Sequence, residues 1–126
     1  MDRYNPEKVP DPDAWLALDE FERIDLVYSF VEMNETDIPE EAKKLHALVH
    51  VTVENQLAMA VEPVPATVAR LIRQGLTRHD AIHAIGAVIS GDIFDIMKGN
   101  VKTWNPRRYD KRLKKLTAKR WRQGKW

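Results

Sequence analysis

A chain of 126 residues, 44% hydrophobic and 31% charged, is sized and composed as one globular domain, and its lack of cysteine excludes disulfides and thiolate metal sites. No apolar run nears the roughly 20 residues that a bilayer-spanning helix needs, and residues 1–12 are too polar and acidic for a signal peptide, so a reducing cytoplasm is the expected setting. Net charge is only +1, yet residues 1–41 hold thirteen acidic and three basic side chains while residues 104–126 hold ten basic and one acidic, so the two ends can attract each other or an outside partner.

Helix signals recur along the chain. Asp11-Pro12 caps a short helix through Ala14, Trp15 and Leu16. Asp19 with Glu22 forms a capping-box pattern and opens a second helix, whose Phe21, Ile24, Val27, Tyr28 and Val31 make an apolar stripe. Asn34 to Asp37 reads as a polar connection. Asp37 then caps a third helix, with Pro39 in its first turn, running to about Ala60. Its β-branched run from Val49 to Val53 is the one place where a strand is conceivable. Helix is preferred because Leu45, Val49 and Thr52 share a face and the flanks favour helix.

A loop at Glu62 to Pro65 precedes a short helix carrying Val68, Leu71 and Ile72, closed by Gly75. Thr77 and Asp80 start a fifth helix with the stripe Ile82, Ile85, Ile89, Ile93 and Ile96, ending at Gly99. Asn105-Pro106 opens a basic C-terminal helix over 105–126, with Tyr109, Leu113 and Leu116 on one side. The whole predicts a single all-α domain over residues 1–126, a bundle of five or six helices with an acidic segment at 1–41.

The four histidines form two pairs, His46 with His50 and His79 with His83, each at i,i+4. That spacing puts two imidazoles one turn apart on the same helix face, where both can reach one metal ion. Two such pairs on packed helices can complete a site in a bundle core, and Glu54, one turn beyond His50, supplies a carboxylate ligand or an acceptor behind the ligands. Nitrogen and oxygen donors admit zinc, iron, manganese or nickel. The competing reading is a set of core histidines that hydrogen-bond two helices together. His79 to His83 also matches the H-E-x-x-H zinc motif with Asp80 in place of Glu. Asp80 has a capping role instead, and no edge strand is expected to hold a peptide, so any catalysis would be metal-assisted hydrolysis other than peptidase chemistry.

The stretch His46-Ala-Leu-Val-His50-Val-Thr-Val-Glu54-Asn55-Gln56, followed by Gly75-Leu76-Thr77-Arg78-His79-Asp80-Ala81-Ile82-His83-Ala84-Ile85-Gly86, resembles small uncharacterised bacterial proteins of a domain-of-unknown-function type. Those proteins carry H-x3-H-x3-E-N/Q and R-H-E-A-I-H-A-I-G motifs. The resemblance covers most of residues 13–121. It implies a helical fold, with His46, His50, Glu54, His79 and His83 as signature positions, and brings no reaction or cofactor.

Gln56 falls near the buried side of its helix, where an amide must find a partner across the bundle. Gly86 implies close helix approach or room for a ligand. In the C-terminal region Arg107, Arg108, Lys111, Arg112, Lys115, Lys119 and Arg120, with Trp121 and Trp126, suit contact with RNA or DNA. The alternative is a basic face lying against the acidic N-terminal region. Three functions stay open: a divalent-metal-binding bundle, a nucleic-acid-binding or ribosome-associated module, and an interaction protein without chemistry, as monomer or homodimer.

Overall fold

Seven helices and no strand make up the chain in the computed structural model, which describes residues 1–126. They are α1 (Pro12–Ala17), α2 (Glu20–Asn34), α3 (Lys43–Ala58), α4 (Val64–Arg73), α5 (Arg78–Met97), α6 (Pro106–Lys115) and α7 (Ala118–Arg122). The all-α bundle expected from periodicity is present, with α1 and α7 as short pieces of six and five residues. No helix is long and apolar enough to cross a membrane.

Most starts lie where the capping signals put them. Asp11 accepts from Ala14 N, and Asp19 and Glu22 close a reciprocal capping box. Thr77 accepts from Asp80 N, and Asn105 from Arg107 N and Arg108 N. Gly75 adopts φ +102° just after α4, a backbone conformation that glycine enters without steric cost. The β-branched run of residues 49–53 is helical, inside α3.

Two boundaries differ from expectation. Asp37 caps nothing: Pro39 is extended, Glu40–Ala42 form a 3-10 turn, and α3 begins only at Lys43. Proline at 39 disfavours helical backbone at the residue before it, which delays the helix. The basic helix expected over 105–126 is broken. Leu116 is extended (φ −70°, ψ 128°) with its side chain buried, and Thr117 caps α7. The break leaves carbonyls without helical partners, and the Arg70 guanidinium takes up those of Leu113 and Leu116. Some stripe residues also face outward: Phe21 is 79% exposed, and Leu45 and Ile72 are exposed as well.

The apolar interior falls into two clusters. The larger gathers Val53, Val64, Leu71, Ile82, Ile85, Leu113 and Leu116, among others, from α3 to α6. The smaller joins Tyr4, Trp15, Val27, Val31, Ala47 and Val51 around α2 and α3. Helix α3 serves both. At 100° per residue Val53 points one way and Ala47 with Val51 another, and the arc between them carries His50 and Glu54. Both are buried, at 1% exposure. His50 and Glu54 therefore sit on the seam between two apolar cores.

Consecutive residues Glu54, Asn55 and Gln56 fan out from α3 to three separate partners. Asn55 accepts from Trp15 Nε1 at 2.9 Å and from Arg23, while Gln56 accepts from the Tyr109 hydroxyl at 2.9 Å, the cross-bundle bond expected of it. Gly86 lets α5 pass close to Val49 of α3: a β-carbon there would lie 2.8 Å from Val49 Cγ1. Gly86→Ala is expected to cost about 1–2 kcal/mol in urea unfolding. Overpacking costs about 1–3 kcal/mol, and alanine returns up to about 1 kcal/mol of helix propensity. Val49→Ala in the same chain should recover part of the loss, and independent effects of the two substitutions would rule out the clash.

Candidate metal centre

Both histidine pairs point into the seam from opposite sides, His46 and His50 from α3 and His79 and His83 from α5. The group they converge on is Glu35. It is the residue that ends α2, its backbone N–H closing onto Val31 O, and its carboxylate is buried between the two helices. His79 Nε2 and His83 Nε2 lie 2.7 and 2.9 Å from Glu35 Oε1, and His46 Nε2 lies 2.7 Å from Glu35 Oε2. His50 Nε2 is 3.8 Å from Oε1 and 2.9 Å from His83 Nε2. The two pairs therefore lie at the same height across the seam.

Four of these residues, Glu35, His46, His50 and His83, each present one ligand atom within 4.8 Å of all the others. A tetrahedral centre with bonds of about 2.0–2.1 Å holds its ligand atoms about 3.3 Å apart. The separations among Glu35 Oε1, His50 Nε2 and His83 Nε2, at 2.9, 2.9 and 3.8 Å, bracket that value. His79 stands against Glu35 Oε1 but outside this closely spaced set.

Hydrogen bonding satisfies part of the cluster. Glu35 Oε1 pairs with His79, and His83 pairs with His50. It fails for the rest. His46 Nε2 and Glu35 Oε2 are close by distance, yet their angles do not make a hydrogen bond, and neither atom has any other partner. Buried polar atoms are ordinarily paired, and leaving one unpaired costs about 1–3 kcal/mol. Two orphaned atoms side by side, next to two further imidazole nitrogens, are donors that one cation could take up together.

Behind His50 lies a second polar layer. The Tyr4 hydroxyl donates to Glu54 Oε2 at 2.6 Å, and its oxygen lies 3.3 Å from His50 Nδ1. Since the phenolic proton is committed to the carboxylate, the oxygen can only accept from His50, which assigns the proton to Nδ1 and leaves Nε2 bare. Glu54 also takes two bonds from Arg78, at 2.8 and 2.9 Å, and Arg78 donates in addition to the Pro6 carbonyl. The opening segment of the chain is thereby tied over the seam, with Glu7 accepting from His79 N at the start of α5.

Electrostatics follow from this arrangement. Burial, with His83 next to it, pushes the His50 imidazole down to about 3, so the ring is neutral and able to ligate. Burial alone would raise the Glu35 carboxyl, but the nitrogens of His46, His79 and His83 outweigh it and hold the group well below the usual carboxylate range. Burial and Glu54 raise the Tyr4 phenol far above its ordinary value. Burial works against the charge on Arg78, but Glu54 overcomes it and keeps the guanidinium charged.

The expected ligands are thus partly redistributed. All four histidines meet. Glu54 does not join the histidine nitrogens: both its oxygens are taken by Arg78 and Tyr4, behind His50, and the carboxylate that faces the histidines is that of Glu35. Glu35 lies in the connection between helices, out of register with either pair and among thirteen acidic residues of the N-terminal segment, so no spacing singles it out. Tyr4 lies in the opening residues before the first helix signal. Arg78, adjacent to His79 in the second motif, is the one missed residue whose position offered a signal. Asp80 is exposed, its backbone N–H bonded to Thr77, and contributes nothing to the cluster.

None of the basic side chains of the C-terminal region joins this cluster, and their ion pairs run to α5, not to the acidic N-terminal segment. Arg112 pairs with Asp92 at 2.6 Å and Arg108 with Asp95 at 3.0 Å, both on α5. Arg107, Lys111, Lys115, Lys119 and Arg120 stay exposed. Comparison of the chain with protein-family models, with curated proteins and with solved structures yields no match.

Proposed function

We propose that this protein is a divalent transition-metal-binding bundle, with Glu35, His46, His50 and His83 as ligands. The observation that carries the reading is the unpaired couple of His46 Nε2 and Glu35 Oε2 at the centre of a three-histidine, one-carboxylate cluster. An ion there would bind both atoms and the bare Nε2 of His50. Three neutral imidazoles and one carboxylate suit zinc, iron, manganese or nickel. His79 would orient the Glu35 carboxylate from outside, and the Arg78–Glu54–Tyr4 chain would orient His50, as carboxylates behind ligating histidines do.

The first test is elemental analysis of the untagged full chain purified without chelator. The expected result is close to one zinc, iron, manganese or nickel per chain, as isolated or after loading. Absence of metal after attempted loading with all four would return the histidines to a purely helix-locking role. A finer test addresses Tyr4. Tyr4→Phe keeps the packing but removes the acceptor of His50 Nδ1–H, and metal affinity should fall about 10–100-fold. Nitrogen-15 NMR should at the same time show the His50 ring losing its single tautomer. Unchanged affinity together with an unchanged tautomer would remove Tyr4 from the site.

A further inference from the structure

Beside the cluster, between α3, α5 and α7, a cleft of about 370 Å³ opens to solvent. His46, His50 and His83, the same three imidazoles that the metal reading uses, are among its lining residues. The walls are apolar, chiefly Leu45, Val49, Ile82 and Trp121, with Ala87 on α5 and Ser90 at the exposed rim. No lysine, arginine, aspartate or glutamate lines it. Leu45 stays exposed there although it sits beside the buried seam. The volume lies within the range of small-molecule sites, and an apolar body with a few convergent polar groups is how such sites are built.

Charge then selects the ligand. A divalent ion held by Glu35 and three neutral imidazoles carries a net charge of +1 beside a mostly apolar cleft. A charge in such surroundings is costly unless a counter-charge meets it. One anionic oxygen group balances it; a phosphate dianion overshoots, and the cleft has no cationic side chain to hold the excess. A neutral apolar molecule leaves the charge unmet. The absence of any strand removes the edge along which an extended peptide would pair.

We infer that the cleft binds a small organic monocarboxylate with an apolar tail, its carboxylate adding a fifth ligand to the metal and its tail lying along Leu45, Val49 and Trp121. The inference rests on the proposed metal site. Each methylene withdrawn from water strengthens binding about fourfold, so a tail that buries four of them gains at least about a hundredfold over acetate.

The test uses the full chain loaded with cobalt(II), whose visible absorption reports ligand exchange, and begins with the measured cobalt content. Acetate, octanoate and inorganic phosphate are then titrated in turn. Octanoate is expected to change the spectrum at about a hundredfold lower concentration than acetate, with phosphate weaker than octanoate. Ala87→Phe and, at the exposed rim, Ser90→Phe should retain cobalt yet reduce the octanoate preference at least tenfold. Equal potency of acetate and octanoate, tighter binding of phosphate, or no spectral response to any of the three would overturn the inference while leaving the metal site intact. Failure to take up cobalt would overturn the metal site itself, and the ligand with it.

Discussion

Replacing Glu54 by leucine is expected to destabilise the chain by about 3–5 kcal/mol, among the largest losses available to one substitution here. Arg78, only 8% exposed, would lose both carboxylate bonds and keep the Pro6 carbonyl as its remaining partner. Removing one member of a buried ion pair strands the other charge, and that stranded charge is the source of the cost. The Tyr4 hydroxyl would lose its acceptor in the same step. The double variant Glu54→Leu with Arg78→Met should recover most of the loss, because apolar groups of similar volume often replace a buried pair with little penalty. Urea unfolding of the parent, the two single variants and the double variant measures this cycle. A Glu54→Leu chain within about 1 kcal/mol of the parent would show that the pair is not buried in solution.

The second large effect concerns the centre itself. Glu35→Ala with His83→Ala removes two of the proposed ligands from different elements of the seam, and metal content should fall from about one per chain to background. Chelator gives an independent reading. A ligand at a thousandfold excess over its Kd stabilises the native state by about 4 kcal/mol. For a domain of this size that corresponds to a Tm change of order 10 °C. The parent should therefore melt about 10 °C lower after chelation, and the double variant should be indifferent to it. A parent whose Tm ignores both chelator and added metal would leave the cluster as a hydrogen-bonded lock between α2, α3 and α5. Melting the double variant without metal separates the two contributions, since loss of the lock lowers Tm in the absence of any ion.

These expectations depend on how α3 is used. A histidine on the face of an ordinary surface helix ionises freely near neutrality. Here His50 sits between two apolar cores with Tyr4 on one ring nitrogen and the cluster on the other. The same seam holds the Arg78–Glu54 pair, so folding of the opening segment, of α5 and of the centre are coupled through a few hydrogen bonds. Truncation of the first nine residues would act on the centre without touching a ligand.

Local chemistry makes the helices legible in the sequence itself. Asp11, Asp19, Thr77 and Asn105 cap where side-chain oxygens meet free backbone N–H groups, and Tyr109, Leu113 and Leu116 are buried as their spacing implies. The i,i+4 histidine pairs are equally readable, because one helical turn fixes which side chains share a face. Gln56 finding Tyr109 follows from the need of a buried amide for a partner. Other features depend on which elements meet in space. The break at Leu116 is held by Arg70, forty-six residues away. Glu35 and Tyr4 reach the histidines only because α2 and the opening segment pack on α3, and Glu54 is drawn to Arg78 instead of the ligand cluster by the position of α5. Periodicity encodes the direction in which a side chain leaves its own helix. The partner it meets is set by contacts between distant segments, and no local pattern in the chain carries that information.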